Sequence, residues 1–236
     1  MTSSFRALRL RPFALLWSGQ TISRLGDRLY QVALVWWVLE KTGSAVVMGA
    51  VLIFSEVPML IFVLLGGALV DRWPRLPVMM LSDLVRGLAV GSMAALAYAN
   101  LLQVWHVYTI SLIFGTVDAF FQPAYRASVP EIVPVEHLPS ANSLTSLSGE
   151  VCGIIGPAMG AGMVALGGTP SAFALDALSF FVSAACLLPI LKLSGSPLKE
   201  EPAGSILRDV RAGLGTVFAS PWLWITIAVA GISNIT

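Results

Sequence analysis

Charge is scarce in this sequence: Asp, Glu, Lys and Arg together make up 11% of its 236 residues, whereas 56% are hydrophobic. So little charge cannot cover the surface of a water-soluble fold, and with a mean hydropathy of +0.82 the composition falls in the membrane class. Neither sign dominates. The formal net charge is +1, and the basic residues are scattered over several loops, which leaves no electrostatic footprint for nucleic acid. Cysteine is nearly absent too. Cys152 and Cys186 both sit in apolar stretches and read as small core residues, not as a redox or metal pair. His106 and His137, at a helix start and in a loop, give metal no ligand set. The sequence holds no P-loop pattern, which disfavours ATP-driven transport, and no His-Glu-x-x-His pair or Gly-x-Ser-x-Gly elbow, which disfavours an intramembrane enzyme.

What is abundant is long apolar sequence. Spanning a hydrocarbon layer of about 30 Å takes about 20 apolar residues at about 1.5 Å each. Six stretches qualify: Phe13 to Leu39, Ala45 to Leu69, Val78 to Ala99, Val104 to Ala124, Ser140 to Leu166 and Ser171 to Leu191. The expected fold class is therefore an all-α polytopic membrane protein. A seventh apolar run begins at Pro221 and reaches Thr236, 16 residues that would cover about 24 Å; the expectation is of a chain cut within a helix. Arg6, Arg9 and Arg11 before the first run imitate a signal peptide, but the run is too long, carries Arg24, Asp27 and Arg28, and lacks a small-residue cleavage site. It reads as an uncleaved first span.

The chain divides into a six-helix bundle (1–193), a linker with an amphipathic helix (194–218) and the start of a seventh helix (219–236). Ser194 to Gly204, rich in Ser, Pro, Gly, Lys and Glu, has linker composition. Beyond it Ile206, Leu207, Val210, Leu214 and Val217 recur at helical spacing beside Arg208, Asp209 and Arg211, as in a helix on a membrane surface or a connector between bundles. Arg6, Arg9, Arg11, Arg72, Arg75, Arg126, Lys192, Lys199, Arg208 and Arg211 fall in segments on one side, and Lys41 opposite. The positive-inside rule makes the N-terminus and the loops after spans two, four and six cytoplasmic.

Two motifs carry a resemblance. After span two the sequence reads Gly66, Gly67, Ala68, Leu69, Val70, Asp71, Arg72, Trp73, Pro74, Arg75. The small residues allow close helix approach, and Asp71, Arg72 and Arg75 can tie the loop to neighbouring helix ends. Span five carries Gly149, Gly153, Gly156, Pro157, Gly160 and Gly162, a small-residue face interrupted by a proline that removes one backbone hydrogen bond. The first stretch resembles the signature loop of the major facilitator superfamily through Gly67, Asp71 and Arg72, with Pro74 where a Gly is usual and Leu76 and Pro77 in place of the final basic pair. The second resembles that superfamily's fifth-helix antiporter motif through Gly156, Pro157 and Gly160, although Cys152 and Ala161 stand where further glycines are usual. Leu25-Gly26-Asp27, Ala119-Phe120-Phe121-Gln122-Pro123-Ala124 and Leu175-Asp176-Ala177-Leu178-Ser179-Phe180 are similar to the branch of enterobactin exporters and macrolide efflux proteins.

The resemblance implies the N-terminal half of a twelve-helix fold built from inverted repeats, with substrate held between the halves. It implies a secondary transporter of the cell membrane that exports amphipathic drugs or metabolites, macrolide- or siderophore-like, by alternating access and proton antiport. No cofactor is expected beyond the proton gradient. The expected partners are the small substrate, the lipid bilayer and the second six-helix half. A non-transporting membrane scaffold or sensor on the same fold is the alternative.

Ionisable residues within a span are costly and therefore candidate functional groups. Glu56, near the middle of span two and followed by Pro58, has no basic residue nearby in its helix, which suits proton coupling or substrate contact. Asp27 lies between Arg24 and Arg28 and is open to neutralisation within the helix; the resemblance, which turns polar first-helix residues to the central cavity, favours function for Asp27 and Arg28. Glu150, well inside span five, is the third candidate acid. Asp118 is expected to be structural, paired with Arg126 or the loop after span two. Asp176 is expected near the outer end of span six, capped or solvated, and Asp83 with Arg86 as a local pair three residues apart.

Overall fold

The computed structural model describes residues 5–70 and 73–193. Among the described residues the chain is helical with no strand: a 3-10 turn (Arg6–Arg9), α1 (Arg11–Thr42), α2 (Ala45–Val70), α3 (Arg75–Tyr98), α4 (Val104–Ile132), a second 3-10 turn (Val135–His137) and α5 (Leu138–Leu193). Asp71, Arg72, the linker and residues 219–236 lie outside the described residues, as do the surroundings of Gly67.

Helix ends follow local chemistry. Gly43 closes α1 in the left-handed conformation (φ 59°), its N–H donating to the Leu39 carbonyl, as a helix C-terminus favours. The 56-residue α5 is two helices joined at Gly168 (φ 73°, ψ 171°), a backbone region essentially restricted to glycine. Pro170 follows in the first turn of the second arm, where its missing N–H costs nothing. The expected break between spans five and six thus falls at Gly168. α4 runs to Ile132, eight residues past the expected end at Ala124, because Ala127, Ser128 and Val129 continue the helical turn beyond the apolar run.

Four helical segments are long and apolar enough to cross a membrane: Ala45–Phe62, Arg75–Tyr98, Val104–Ile132 and Val135–Lys192. α1 is equally long, but Arg24, Asp27 and Arg28 interrupt its middle. Large apolar side chains face outward, Leu166 at 92% and Val46 at 82% exposure among them, an arrangement suited to lipid as solvent.

α1 packs chiefly along α5, α3 on α5 and on α4, and α2 along α4. Two apolar cores form between them. One gathers Tyr30, Trp37, Val51, Met93, Phe173 and Phe180; the other gathers Phe13, Leu16, Met79, Phe121, Leu187 and Ile190. Along α1, α3 and α5, buried polar residues separate them: Gln20 and Ser23, then Ser82, Asp83 and Arg86, then Asp176, Ser179 and Ser183. The bundle is thus layered as apolar, polar, apolar.

Close approach in the lower core depends on Gly19, where a Cβ would lie 2.9 Å from the Cys186 Cβ and 3.2 Å from the Ser183 Cα. Gly19→Val should push α1 off α5 and lower stability by about 1–3 kcal/mol, read as a lower Tm in detergent. Gly153→Ala, where no atom lies within 4 Å, should leave Tm unchanged.

Candidate functional site

An open cavity of about 810 Å³ lies against α1, α2, α4 and the first arm of α5, with Arg86 of α3 at its wall. Asp27 and Arg28 reach it from α1, Glu56 from α2 and Glu150 from α5, so residues up to 123 positions apart in the chain line one space. Leu34, Met48, Phe114 and Phe121 supply apolar wall between these charges.

The cations on this wall are engaged within the protein. Arg24 donates from Nη1 to the Thr145 carbonyl at 3.1 Å, and its guanidinium lies 5.2 Å from the Tyr125 ring centroid. Arg28 donates to Gln31 Oε1 at 3.0 Å. Neither makes an ion pair or hydrogen bond with Asp27 among the described residues. Each guanidinium has a partner of its own. Asp27, Glu56 and Glu150 have neither a hydrogen bond nor an ion pair among the described residues.

Arg86, 3% exposed, anchors the polar layer. Its Nη2 lies 2.7 Å from Asp83 Oδ1, the local pair expected from sequence, and its Nη1 lies 3.4 Å from Asp118 Oδ1. Ser183 donates to the other Asp83 oxygen at 2.7 Å, and Gln20 donates to Ser183 at 2.8 Å. The guanidinium also lies 4.1 Å from the Phe121 ring centroid and 4.6 Å from that of Phe180, within cation–π range. One charge thereby joins α1, α3, α4 and the second arm of α5.

Two expectations need correction. Among the described residues Asp118 pairs with Arg86 and not with Arg126, because α3 and α4 are neighbours and present both groups to the cavity wall; Asp71 and Arg72 of the loop after α2 lie outside the described residues. Asp176 is neither capped nor solvated: it is 0% exposed, since α1 lies across it at Gly26, where any Cβ would collide with Asp176 Oδ1 and Ser179 Oγ. The polar face to which it belongs, Asp176, Ser179 and Ser183 at helical spacing, was visible in the sequence. The partner faces on α1 and α3 were not.

Of the loop motif, Arg75 forms an ion pair with Glu131 at 2.6 Å and donates to the Ala127 carbonyl at 3.0 Å, tying the start of α3 to the end of α4. On α5, Gly156 packs against the Arg28 Cβ, and a Cβ at Gly160 would lie 3.0 Å from the Val32 Cβ. The glycine face is therefore an α1-packing surface that lets Arg28 stand at the cavity. Pro157 lies on the exposed side of that helix.

Among the described residues this architecture, an all-helical bundle with four segments apolar enough to cross a membrane around a cavity lined by charges of both signs, defines a helical membrane protein. The profile of the transmembrane secretion effector family matches residues 2–232, and the chain belongs to that family of the major facilitator superfamily. It is 26% identical over 219 residues to macrolide efflux protein A of Streptococcus pyogenes, covering 92% of this chain and 54% of that protein. It is 29% identical over 232 residues to the multidrug efflux pump Tap of Mycolicibacterium fortuitum, covering 94% and 55%. Against the enterobactin exporter EntS of Shigella boydii serotype 4 the identity is 27% over 218 residues, covering 92% and 50%. The chain spans about half the length of the curated relatives it matches. Family and relatives point to a transporter and not to an enzyme.

Removing the cation from the polar layer should be severe. Arg86→Met leaves Asp83 buried and uncompensated, a loss of about 3–5 kcal/mol; the expected result is a large drop in Tm or in folded yield. Ser183→Ala, which removes one hydrogen bond to Asp83, should cost about 1–3 kcal/mol in the same assay.

Proposed function

We propose that this chain is the N-terminal six-helix half of a twelve-helix, proton-coupled exporter of amphipathic drugs or metabolites, working by alternating access. The observation that carries the reading is the cavity bordered by Asp27, Glu56 and Glu150, none of which has an ion pair or hydrogen bond among the described residues. An ionisable side chain within a span and without a fixed partner is a candidate functional group. Protonation from one side and release to the other would then drive substrate the opposite way. The cofactor requirement is none; the proton gradient is the energy source.

In this reading α1 to α4 and the two arms of α5 are six crossings, the N-terminus is cytoplasmic and the protein resides in the cell membrane. Residues 194–218 connect the halves, and residues 219–236 begin helix seven. The missing six-helix half supplies the opposite cavity wall. Mixed aromatic, methionine and aliphatic lining with isolated charges suits an amphipathic substrate. The efflux functions named for the relatives support export as the direction. Asp71, Arg72 and Gly67 would act with Arg75 as the conformational fastener at the cytoplasmic face, and Gly156, Pro157 and Gly160 as the packing surface along which α5 meets α1.

The test is substrate-driven proton movement in proteoliposomes holding the full-length protein, with a panel of amphipathic drugs and siderophores, comparing wild type with Glu56→Gln and Asp27→Asn. Proton flux should appear with substrate and fall at least tenfold, about 1.4 kcal/mol in activation free energy, in one of the two variants. Substrate movement without proton flux, unchanged in both, would sink the coupling assignment. A second comparison addresses the glycine face: Gly156→Val should displace Arg28 from the cavity wall and reduce transport, while Gly162→Ala, where an added Cβ would meet nothing within 4 Å and which lies off the cavity wall, leaves it intact.

A further inference from the structure

We propose that Asp176 is a neutral, proton-carrying carboxyl built into the interface between α1 and the second arm of α5, separate from the acids that line the cavity. Its side chain is 0% exposed, and its Oδ2 has no hydrogen-bond partner among the described residues. Its Oδ1 has Ser179 Oγ at 3.3 Å, but that hydroxyl also donates to the Asp176 backbone carbonyl at 2.7 Å, so the carboxyl receives at most a shared bond. An anion held this way would be desolvated without compensation, which buried carboxylates avoid by pairing or by taking up a proton.

The surrounding charges lead to the same conclusion. The groups that face Asp176 are Asp27 and Tyr30 from α1 and Arg86 from α3, with Ser179 on its own helix. Arg86 is the cation among them, and both of its terminal nitrogens are already directed to Asp83 and Asp118. A single guanidinium thus serves two carboxylates before Asp176 is counted, and it makes no ion pair or hydrogen bond with Asp176. A further buried anion at Asp176, with Asp27 also unpaired, would leave three negative charges in excess in an apolar bundle. The proton on Asp176 removes one of them.

Gly26 completes the site. Its missing side chain lets the α1 backbone lie directly on the Asp176 carboxyl and the Ser179 hydroxyl, which excludes water from both. A proton stored there exchanges with the cavity only when α1 and the second arm of α5 part at this contact. The use of that proton in transport rests on the proton-coupled reading above. The protonation state itself does not.

Infrared spectroscopy of the full-length protein in nanodiscs at neutral pH separates the two. The wild type should show a protonated-carboxyl C=O stretch that is slow to shift on transfer to heavy water. Asp176→Asn should abolish that band, Asp176→Glu should move it, and Asp27→Asn should retain it. A wild type without the band overturns the proposal whatever the variants do, as does a band that survives Asp176→Asn or disappears in Asp27→Asn. Should the Asn variant fail to fold, the Glu variant decides: an unmoved band overturns the assignment. Failure of the proton-flux experiment with the infrared result intact would remove coupled transport and leave the buried proton in place.

Discussion

A positive charge placed inside an apolar bundle has to be satisfied from within, and Arg86 sets that requirement for this protein. Water cannot solvate a side chain that is 3% exposed, so its guanidinium is met by Asp83 and Asp118, Asp83 by Ser183, and Ser183 by Gln20. Each of these groups comes from a different helix or a different turn. The register of α1, α3, α4 and the second arm of α5 is therefore fixed at one level, while the apolar cores on either side would tolerate sliding. Packing of Phe121 and Phe180 around the guanidinium extends the same constraint to the neighbouring apolar residues.

The cavity begins where this polar layer ends. Arg86 and Asp118 belong to both the layer and the cavity wall, so the interior network and the space beside it share atoms. On the cavity side Asp27, Glu56 and Glu150 have no such partners among the described residues, and Arg24 and Arg28 of α1 are turned to a carbonyl, an aromatic ring and a glutamine. Paired charges form the scaffold, and these three acids border the space beside it. The glycines of α5 have a mechanical part in this: by letting α1 approach, they place Arg28 and its neighbours on the wall instead of against another helix.

Much of this was legible beforehand because its physical causes are local. Apolar run length marked the helices, the short gaps between Leu39 and Ala45 and between Leu166 and Ser171 marked turns, and Asp83 three residues before Arg86 marked an ion pair. Glu56, Glu150, Asp27 and Arg28 stood out because a charge in a span is costly wherever the fold puts it. Two residues went astray for the same reason. Position along a span suggested solvent for Asp176 and Arg126 as a partner for Asp118, but depth in a bundle depends on which neighbour lies across the residue, and Gly26 lies across one and Arg86 beside the other.

By itself the sequence determined the class of the protein, the family to which it belongs, its helical segments and the handful of ionisable residues that need an explanation, since hydrophobic run length, turn residues and motif spacing are properties of consecutive positions. Tertiary structure alone decided which charges are spent on each other and which remain free, that Asp27, Arg28, Glu56 and Glu150 border one cavity, and that Asp176 is sealed from water. Those outcomes depend on contacts between helices far apart in the chain, where a single glycine or arginine on one helix sets the solvation of a carboxyl on another.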